Sequence, residues 1–141
     1  MKNKKTKTDK EDMQKKIVQF QILESNLKML QERAMLVSQT LDEYQKTREA
    51  LLNLETTKPE KALIPIGSGN FVEGKIDNTE DVIVDVGNSI VLKKKRKDAL
   101  KILDEKITEM QNSLNDITKK SQMLIKGLED IQCEIENMQS D

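Results

Sequence analysis

The chain has 141 residues, of which 35% are hydrophobic and 35% charged, while aromatic residues make up only 2%. A compact globule of this length needs many bulky side chains to offset its chain entropy, so one large closed core is not expected. The composition favours long helices or a coiled coil instead. The formal net charge of -1 gives no general attraction to nucleic acid.

Residue types that carry most enzyme chemistry are scarce. The sequence has no His, the commonest general base and metal ligand, and a single cysteine, Cys133. One cysteine forms neither an internal disulfide nor a multi-cysteine zinc site, and it fits a reducing compartment. Gly67-Ser68-Gly69 lacks the Gly-Lys-Ser/Thr ending of a phosphate loop and is interpreted as a turn. We therefore expect no enzyme activity, no metal and no cofactor.

The first part of the chain, residues 1–12, is polar and charged. It contains no apolar run, so the sequence predicts a disordered tail and not a signal peptide. No other stretch approaches the roughly 20 apolar residues that a membrane span needs. These features predict a cytoplasmic protein that does not enter a membrane.

Residues 13–55 carry the spacing of a coiled-coil helix. Alternate steps of three and four residues from Phe20 give ten positions, of which nine are apolar, the exception being Arg48. We call this line of positions the seam of helix 1. Upstream of Phe20 the pattern is less regular, because Met13 keeps the register whereas Lys16 interrupts it.

Residues 98–139 repeat the pattern more strongly. The same steps from Leu100 to Met138 give twelve positions, of which eleven are apolar. Chance at this composition would give about four. Two helices of matched length around a short middle should fold back as an antiparallel pair. In that pairing Phe20 faces Ile131, and the two ends of the chain meet at one tip.

The middle of the chain has the pattern of two consecutive β-hairpins. Four short strands cannot cover both faces of a stable sheet, so hairpins from several subunits should join into an oligomer. The sequence predicts strands over residues 62–66, 71–76, 82–86 and 90–92, with turns at residues 67–69 and 77–80 and a two-residue loop at Gly87-Asn88.

These elements define the predicted architecture. The fold class is α+β, mostly α: a long antiparallel two-helix coiled coil with two β-hairpins inserted at its base. A single domain over residues 13–139 would hold helix 1 (13–55), the hairpins (62–93) and helix 2 (98–139). The residues expected to join subunits are Ile64, Ile66, Phe71, Val72, Ile76, Val82, Val84, Val86 and Ile90.

Three short motifs resemble the prefoldin family, and in particular its archaeal alpha-type subunits. Residues 63–71 read LIPIGSGNF, which is similar to the family's L-V-P-V-G-x-G-x-F stretch. Residues 84–88 read VDVGN, similar to a V-x-V-G-x turn, and residues 97–100 read KDAL, similar to the start of the family's second helix. Beta-type subunits carry one hairpin, so two hairpins favour the alpha type. One departure is that helix 2 has no capping side chain before Asp98.

The resemblance implies an ATP-independent molecular chaperone that captures unfolded polypeptides and hands them to a group II chaperonin. Two alpha and four beta-type prefoldin subunits would form a hexamer. Its hairpins would build an oligomeric β-barrel, and its coiled coils would grip clients at their tips. Neither nucleic acid nor a membrane is expected as a partner.

Under this interpretation the outermost seam residues bind clients, because no covering layer lies beyond them and Met adapts to irregular partners. A second candidate surface is a stripe at heptad position c, formed by Ile22, Met29 and Leu36. This c-stripe is open to three interpretations: chance exposure, a client surface or a contact between arms. The predicted client-binding residues are Met13, Ile17, Phe20, Ile131, Ile135 and Met138.

Other functions stay open from the residues alone. One is a structural or adaptor coiled coil with a fixed partner, and another is an alpha-like prefoldin that forms homo-oligomers or filaments. The basic run Lys93–Lys97 is interpreted as a solvated face, with phosphate binding or docking to an acidic surface as alternatives.

Overall fold

A computed structural model describes residues 2–56 and 61–140 of the chain. Two long helices flank two hairpins along the sequence, and this confirms the predicted α+β class. The elements are α1 (Lys2–Thr56), β1 (Ala62–Gly67), β2 (Asn70–Gly74), β3 (Asp81–Gly87), β4 (Ile90–Lys95) and α2 (Arg96–Gln139).

The chain divides into two compact units, and the single domain expected from the sequence stays a prediction. The terminal unit combines Met1–Gln39 with Gln111–Asp141, and the hairpin unit comprises Thr40–Met110. Both units contain parts of α1 and α2.

In the terminal unit, α1 and α2 pair in the predicted antiparallel register. Lys16 of α1 forms an ion pair with Glu134 of α2. Farther along, a Cβ built on Gly127 would lie 3.5 Å from Cδ1 of Leu23. Both contacts agree with the predicted pairing to within one residue. Lys16 therefore interrupts the apolar seam at a point where a carboxylate on the facing helix compensates its charge.

In the hairpin unit, the same two helices pair through a mixture of apolar and charged contacts. Leu51 and Ala99 are buried, with 7% and 2% of their surfaces exposed. Nζ of Lys106 lies 5.6 Å from the centre of the Tyr44 ring, a distance typical of a cation–π contact. Arg48, the one polar residue on the predicted seam of helix 1 from Phe20 onward, donates from Nε to Oδ1 of Asp104 at 2.6 Å.

Burial along both helices follows the predicted heptads. Described seam positions are half-buried or buried, and Ile117 on α2 is the most covered one in the terminal unit. Positions off the seam are largely exposed. The periodicity in the sequence thus predicts which side chains the helix pair covers.

The first hairpin follows its predicted turn. In the register of β1 and β2, Ile64 lies opposite Val72 and Gly67 lies opposite Asn70. The loop between them is Ser68-Gly69, and both residues have positive φ, 50° and 77°. Positive φ at both central residues is the requirement of a type I′ turn, whose twist matches that of the strands.

The second hairpin has different loop residues from those predicted. Gly87 still pairs with Ile90, so the loop is Asn88-Ser89 and not Gly87-Asn88. Gly87 has φ of 103° beside a shift of register, a conformation that favours glycine at a bulge. The pattern of glycines locates the turn, but the bulge moves its centre by one residue.

Several element boundaries also differ from prediction. β2 ends at Gly74, so Ile76 lies outside the strands, in the irregular segment before β3. The helix α1 begins at Lys2, where the sequence predicts a disordered tail. No helix breaker lies between residues 2 and 13, and Lys and Glu propagate a helix that packing has already nucleated.

The start of α2 is set by a backbone contact and not by a capping side chain. Arg96 N–H donates to the carbonyl oxygen of Glu80 at 2.7 Å, which satisfies a donor that a helix start leaves free. The helix therefore begins two residues before Asp98, directly after β4. Three residues of the basic run, Lys93–Lys95, belong to the end of β4.

The Arg48–Asp104 ion pair leads to a prediction about the stability of the helix pair. Its two side chains are 43% and 52% exposed, so it contributes little net stability. We expect Arg48→Leu to raise the free energy of unfolding by about 1 kcal/mol, because Leu at this seam position buries apolar surface. Thermal and urea denaturation followed by circular dichroism measure the change.

The control is Lys46→Ala, which removes the exposed ion pair between Lys46 and Asp42 on α1. We expect that change to alter stability by less than about 0.5 kcal/mol. A lower melting temperature for Arg48→Leu would contradict the prediction, since the ion pair would then outweigh the apolar seam.

Candidate functional site

The predicted client-binding residues fall into two classes of exposure. Ile17 is 40% exposed and lies beside the seam of α1. The other five lie on the seams and are half-buried, so the facing helix already covers part of each: Met13, Phe20, Ile131, Ile135 and Met138. These five keep only part of their apolar surface for another molecule.

Next to Ile17, α1 exposes two more apolar side chains. Val18 and Ile22 are 48% and 54% exposed and line a shallow surface groove with Gln14 and Lys15. We call Ile17, Val18 and Ile22 the α1 patch. Val18 and Ile22 were outside the predicted client set, although their off-seam positions in the heptad were the signal that could have placed them there.

The c-stripe is exposed along its whole length. Ile22, Met29 and Leu36 are each more than half exposed, as expected for heptad position c, which points away from the facing helix. Exposure is thereby established for these residues, and their role stays a prediction.

The first hairpin presents apolar side chains on both faces. Because side chains alternate along a strand, Ile64, Ile66 and Val72 share one face, while Leu63 and Phe71 share the other. All five are exposed. The strand pair β1–β2 is a two-stranded sheet of its own, and no third strand joins it among the described residues.

The two faces of the second hairpin carry different sets of side chains. Val82, Val84 and Leu92 lie on one face, where Val84 pairs with Leu92. Val86 and Ile90, next to the bulge, are exposed. The predicted alternation in β3 is therefore present in the strand register, and no third strand joins this hairpin in the part of the chain that is described.

The opposite face of the second hairpin carries Asp81, Lys93 and Lys95 next to the exposed apolar Ile83 and Val91. Asp81 accepts hydrogen bonds from Nζ of Lys95 and Nδ2 of Asn78, each at 2.9 Å, and Nζ of Lys93 lies 3.8 Å away. The Lys95 hydrogen bond, then the Asn78 hydrogen bond, hold the pKa of Asp81 below its ordinary value of 3.8, against a smaller opposing effect of desolvation. The same contact raises the pKa of Lys95 above 10.5.

These contacts give part of the basic run a local partner. Lys93 and Lys95 lie on the face of Asp81, and Asn78 Oδ1 also accepts from the backbone N–H groups of Glu80 and Asp81. The Asn78 turn therefore positions Asp81 at the start of β3. Two of the five residues of the run thus serve the hairpin itself, in line with the interpretation as a solvated face.

The Asp81 cluster generates a prediction about acid stability. A lowered pKa in the folded state means that the unfolded state binds the proton more tightly, so folding is favoured while Asp81 is charged. This stabilisation is complete above pH 3.8 and is lost as the pH falls through the lower pKa of the folded state. Asp81→Asn should therefore flatten the decline of the melting temperature between about pH 6 and about pH 3.

The matched control is Asp77→Asn, which changes a carboxylate of the preceding loop that makes no ion pair in the described part of the chain. Differential scanning calorimetry at each pH measures both variants. An Asp81→Asn profile as steep as that of the unaltered protein would show that Asp81 does not carry the acid dependence.

The described residues also bear on other kinds of site. No group of three or more His, Cys, Asp or Glu there is arranged to hold a metal ion. Cys133 is an exposed free cysteine. The helices in that same part of the chain include none with the length and apolar character of a membrane span.

Comparison with known proteins identifies the class. Residues 23–141 match the family model of the prefoldin subunit, and the chain belongs to the prefoldin family. This confirms the resemblance carried by the hairpin motifs. Prefoldin is a non-enzymatic chaperone family whose subunits form oligomeric complexes, and membership implies a chaperone-type function for this chain.

Relatives named as alpha subunits are similar over most of the chain. The prefoldin subunit alpha of Archaeoglobus fulgidus is 26% identical over 91% of this chain and 94% of its own. The corresponding protein of Pyrococcus horikoshii is 28% identical over 84% of this chain and 78% of its own. That of Thermococcus onnurineus is 30% identical over 70% and 69%.

A solved structure supports the fold. A chain from the cryo-EM structure of filamentous prefoldin of Methanocaldococcus jannaschii superposes with a TM-score of 0.69. The match covers 86% of this chain and 98% of that one, at 20% sequence identity. The two chains therefore share the arrangement of two long helices and two hairpins.

Proposed function

We propose that this protein is the alpha-type subunit of an ATP-independent holding chaperone, which captures unfolded polypeptides at the chain-end part of its terminal unit. The observation that carries the proposal is the α1 patch, where Ile17, Val18 and Ile22 are exposed on the surface of a helix. An unfolded chain offers apolar side chains without fixed geometry. Exposed aliphatic groups on a helix can cover them without requiring a particular sequence.

The six predicted client residues take part in this proposal through their position. Ile17 belongs to the α1 patch, and the half-buried seam residues Met13, Phe20, Ile131, Ile135 and Met138 would enlarge the apolar surface at its border. Each apolar side chain covered by a client contributes about 1–3 kcal/mol. Binding by several subunits at once would turn such weak contacts into useful avidity.

We further propose that the hairpins carry assembly, with beta-type prefoldin subunits as partners in a complex of two alpha and four beta chains. A lone two-stranded hairpin is marginally stable, and both hairpins here expose apolar faces. Pairing with hairpins of other subunits into a β-barrel would cover those faces and the strand edges. The half-buried Val82 and Val84 and the exposed Ile64, Ile66, Phe71, Val72, Val86 and Ile90 would form the contacts. Ile76, which lies outside the strands, would contribute only at the margin.

The same proposal covers the release of the captured polypeptide. A holding chaperone needs a receiver that completes folding, and we propose a group II chaperonin in the cytoplasm for that role. The free Cys133 suits a reducing compartment. Release to the receiver would then depend on competition for the client, since apolar contacts of this kind need no nucleotide.

Client capture is tested by changing the α1 patch. We expect the triple variant Ile17→Ser, Val18→Ser, Ile22→Ser to assemble normally and to lose most of its ability to suppress aggregation of denatured proteins. The physical reason is that three exposed apolar side chains are removed while the seam stays intact. Light scattering with several unrelated clients, in buffer without nucleotide, measures suppression, and mass photometry measures assembly.

The matched control for that experiment is Leu52→Ser, which removes an exposed apolar side chain from the same helix in the hairpin unit. It should leave suppression unchanged. Full suppression by the correctly assembled triple variant would place the client surface elsewhere and overturn this part of the proposal.

Assembly is tested on the two faces of the second hairpin. We expect the double variant Val86→Thr, Ile90→Thr to lose its association with a beta-type subunit, because it makes the apolar face polar. Ile83→Thr is the matched control, since Ile83 is exposed on the face that carries Asp81 and Lys93. Size-exclusion chromatography with light scattering, alone and with the beta-type subunit, gives the masses.

The same measurement distinguishes the assemblies. A hexamer that forms only with the beta-type subunit supports the proposed composition, whereas a large homo-oligomer or filament of this chain alone contradicts it. A complex that survives the double variant would show that the apolar face of the second hairpin does not join subunits.

A further inference from the structure

A second apolar surface lies in the terminal unit, away from the α1 patch. It is a groove between α1 and α2, lined by apolar side chains from both helices. Met29 and Met123 stand at its sides and are 63% and 74% exposed, while the seam residues Leu30 and Leu124 form its half-buried floor. We call these four residues, with the flanking Arg33 and Lys120, the methionine groove.

Residue spacing explains why the groove forms where it does. Met29 and Met123 each precede a seam leucine by one position, so both side chains emerge on the same side of the antiparallel pair. Arg33 is four residues beyond Met29, and Lys120 is three before Met123, which places each cation on the helix surface next to a methionine. The groove therefore combines flexible apolar walls with two positive charges.

The two cations of the groove differ from other cations that lie between the helices. Lys16 and Arg48, which also lie between the helices, pair with Glu134 and Asp104. In contrast, Arg33 and Lys120 make neither an ion pair nor a side-chain hydrogen bond in the described part of the chain. Both are exposed. Their charge is thus available to an anionic group that approaches the groove.

This charge distribution selects the occupant. A second copy of the same groove would bring Arg33 and Lys120 against their own counterparts, and like charges at short distance oppose association. A basic segment meets the same repulsion. An acidic segment gains from both cations, and an apolar residue within it gains from the two methionine walls, which adapt to side chains of different shape.

We propose that the methionine groove docks an acidic segment of a partner protein, with an apolar side chain held between Met29 and Met123 and carboxylates on Arg33 and Lys120. This docking uses residues other than the α1 patch, so it does not depend on client capture there. It assigns a role to Met29 within the c-stripe and leaves Ile22 to the α1 patch.

The test uses a fluorescein-labelled peptide in which two leucines are flanked on each side by two glutamates. Fluorescence anisotropy measures its binding to the full-length protein in its assembled form. We expect binding that weakens as salt rises, and much weaker binding of two companion peptides, one with lysines for glutamates and one with serines for leucines.

Variants of the groove then locate the site. Met29→Gln with Met123→Gln should weaken binding of the acidic peptide about tenfold, because Gln keeps the helix but removes the apolar walls. Arg33→Gln with Lys120→Gln should weaken binding and reduce its dependence on salt. Circular dichroism and mass photometry check that each variant keeps its helices and its assembly.

The chain offers matched controls on the same helix. Met35 is 64% exposed and Lys28 is exposed, and neither lines the groove. Met35→Gln and Lys28→Gln should leave binding unchanged, as should the triple variant of the α1 patch. Equal binding of the basic peptide, absence of binding by the unaltered protein, or equal losses in the controls would each overturn the proposal.

Discussion

The structure depends on the narrowness of its apolar seams. Each helix carries one line of apolar positions, and pairing these lines half-covers the side chains without enclosing them. Among the described apolar residues, only Leu51, Ala99 and Ile117 are buried. A helix pair of this kind holds together through many partly covered contacts, so every apolar residue off the seam is left facing outward. The surface chemistry of this chain is a direct consequence.

Both hairpins also leave apolar side chains exposed. A two-stranded sheet has no interior, and here β3 and β4 place Val82, Val84 and Leu92 on one face and the cluster around Asp81 on the other. The charged face is completed within the chain by Asn78, Lys93 and Lys95. The apolar face has no such completion among the described residues, which is the physical basis for assigning it to contacts with other subunits.

This chain of the prefoldin family exposes groups of large apolar side chains. The α1 patch and the methionine groove differ in the chemistry they offer, because the first is flanked by polar side chains and the second by two unpaired cations. Exposed apolar groups on a coiled coil can bind other chains without unfolding their own scaffold, since the seam carries the stability. The fold thus separates seam residues, which hold the helices together, from exposed apolar residues off the seam.

The sequence by itself determined the two helices, the seams, the two hairpins and the family, because heptad and strand periodicities are local and the turn glycines mark their own positions. It also predicted that Ile17 and the c-stripe lie off the seam. Only the tertiary structure decided the pairing of Arg48 with Asp104, the start of α2 at the Glu80 carbonyl, and the placement of Met29 and Met123 beside one groove. Each of these joins residues far apart in the chain. The predicted register already brings the helix residues to the same level, but which side chains and backbone groups then lie together depends on packing in three dimensions.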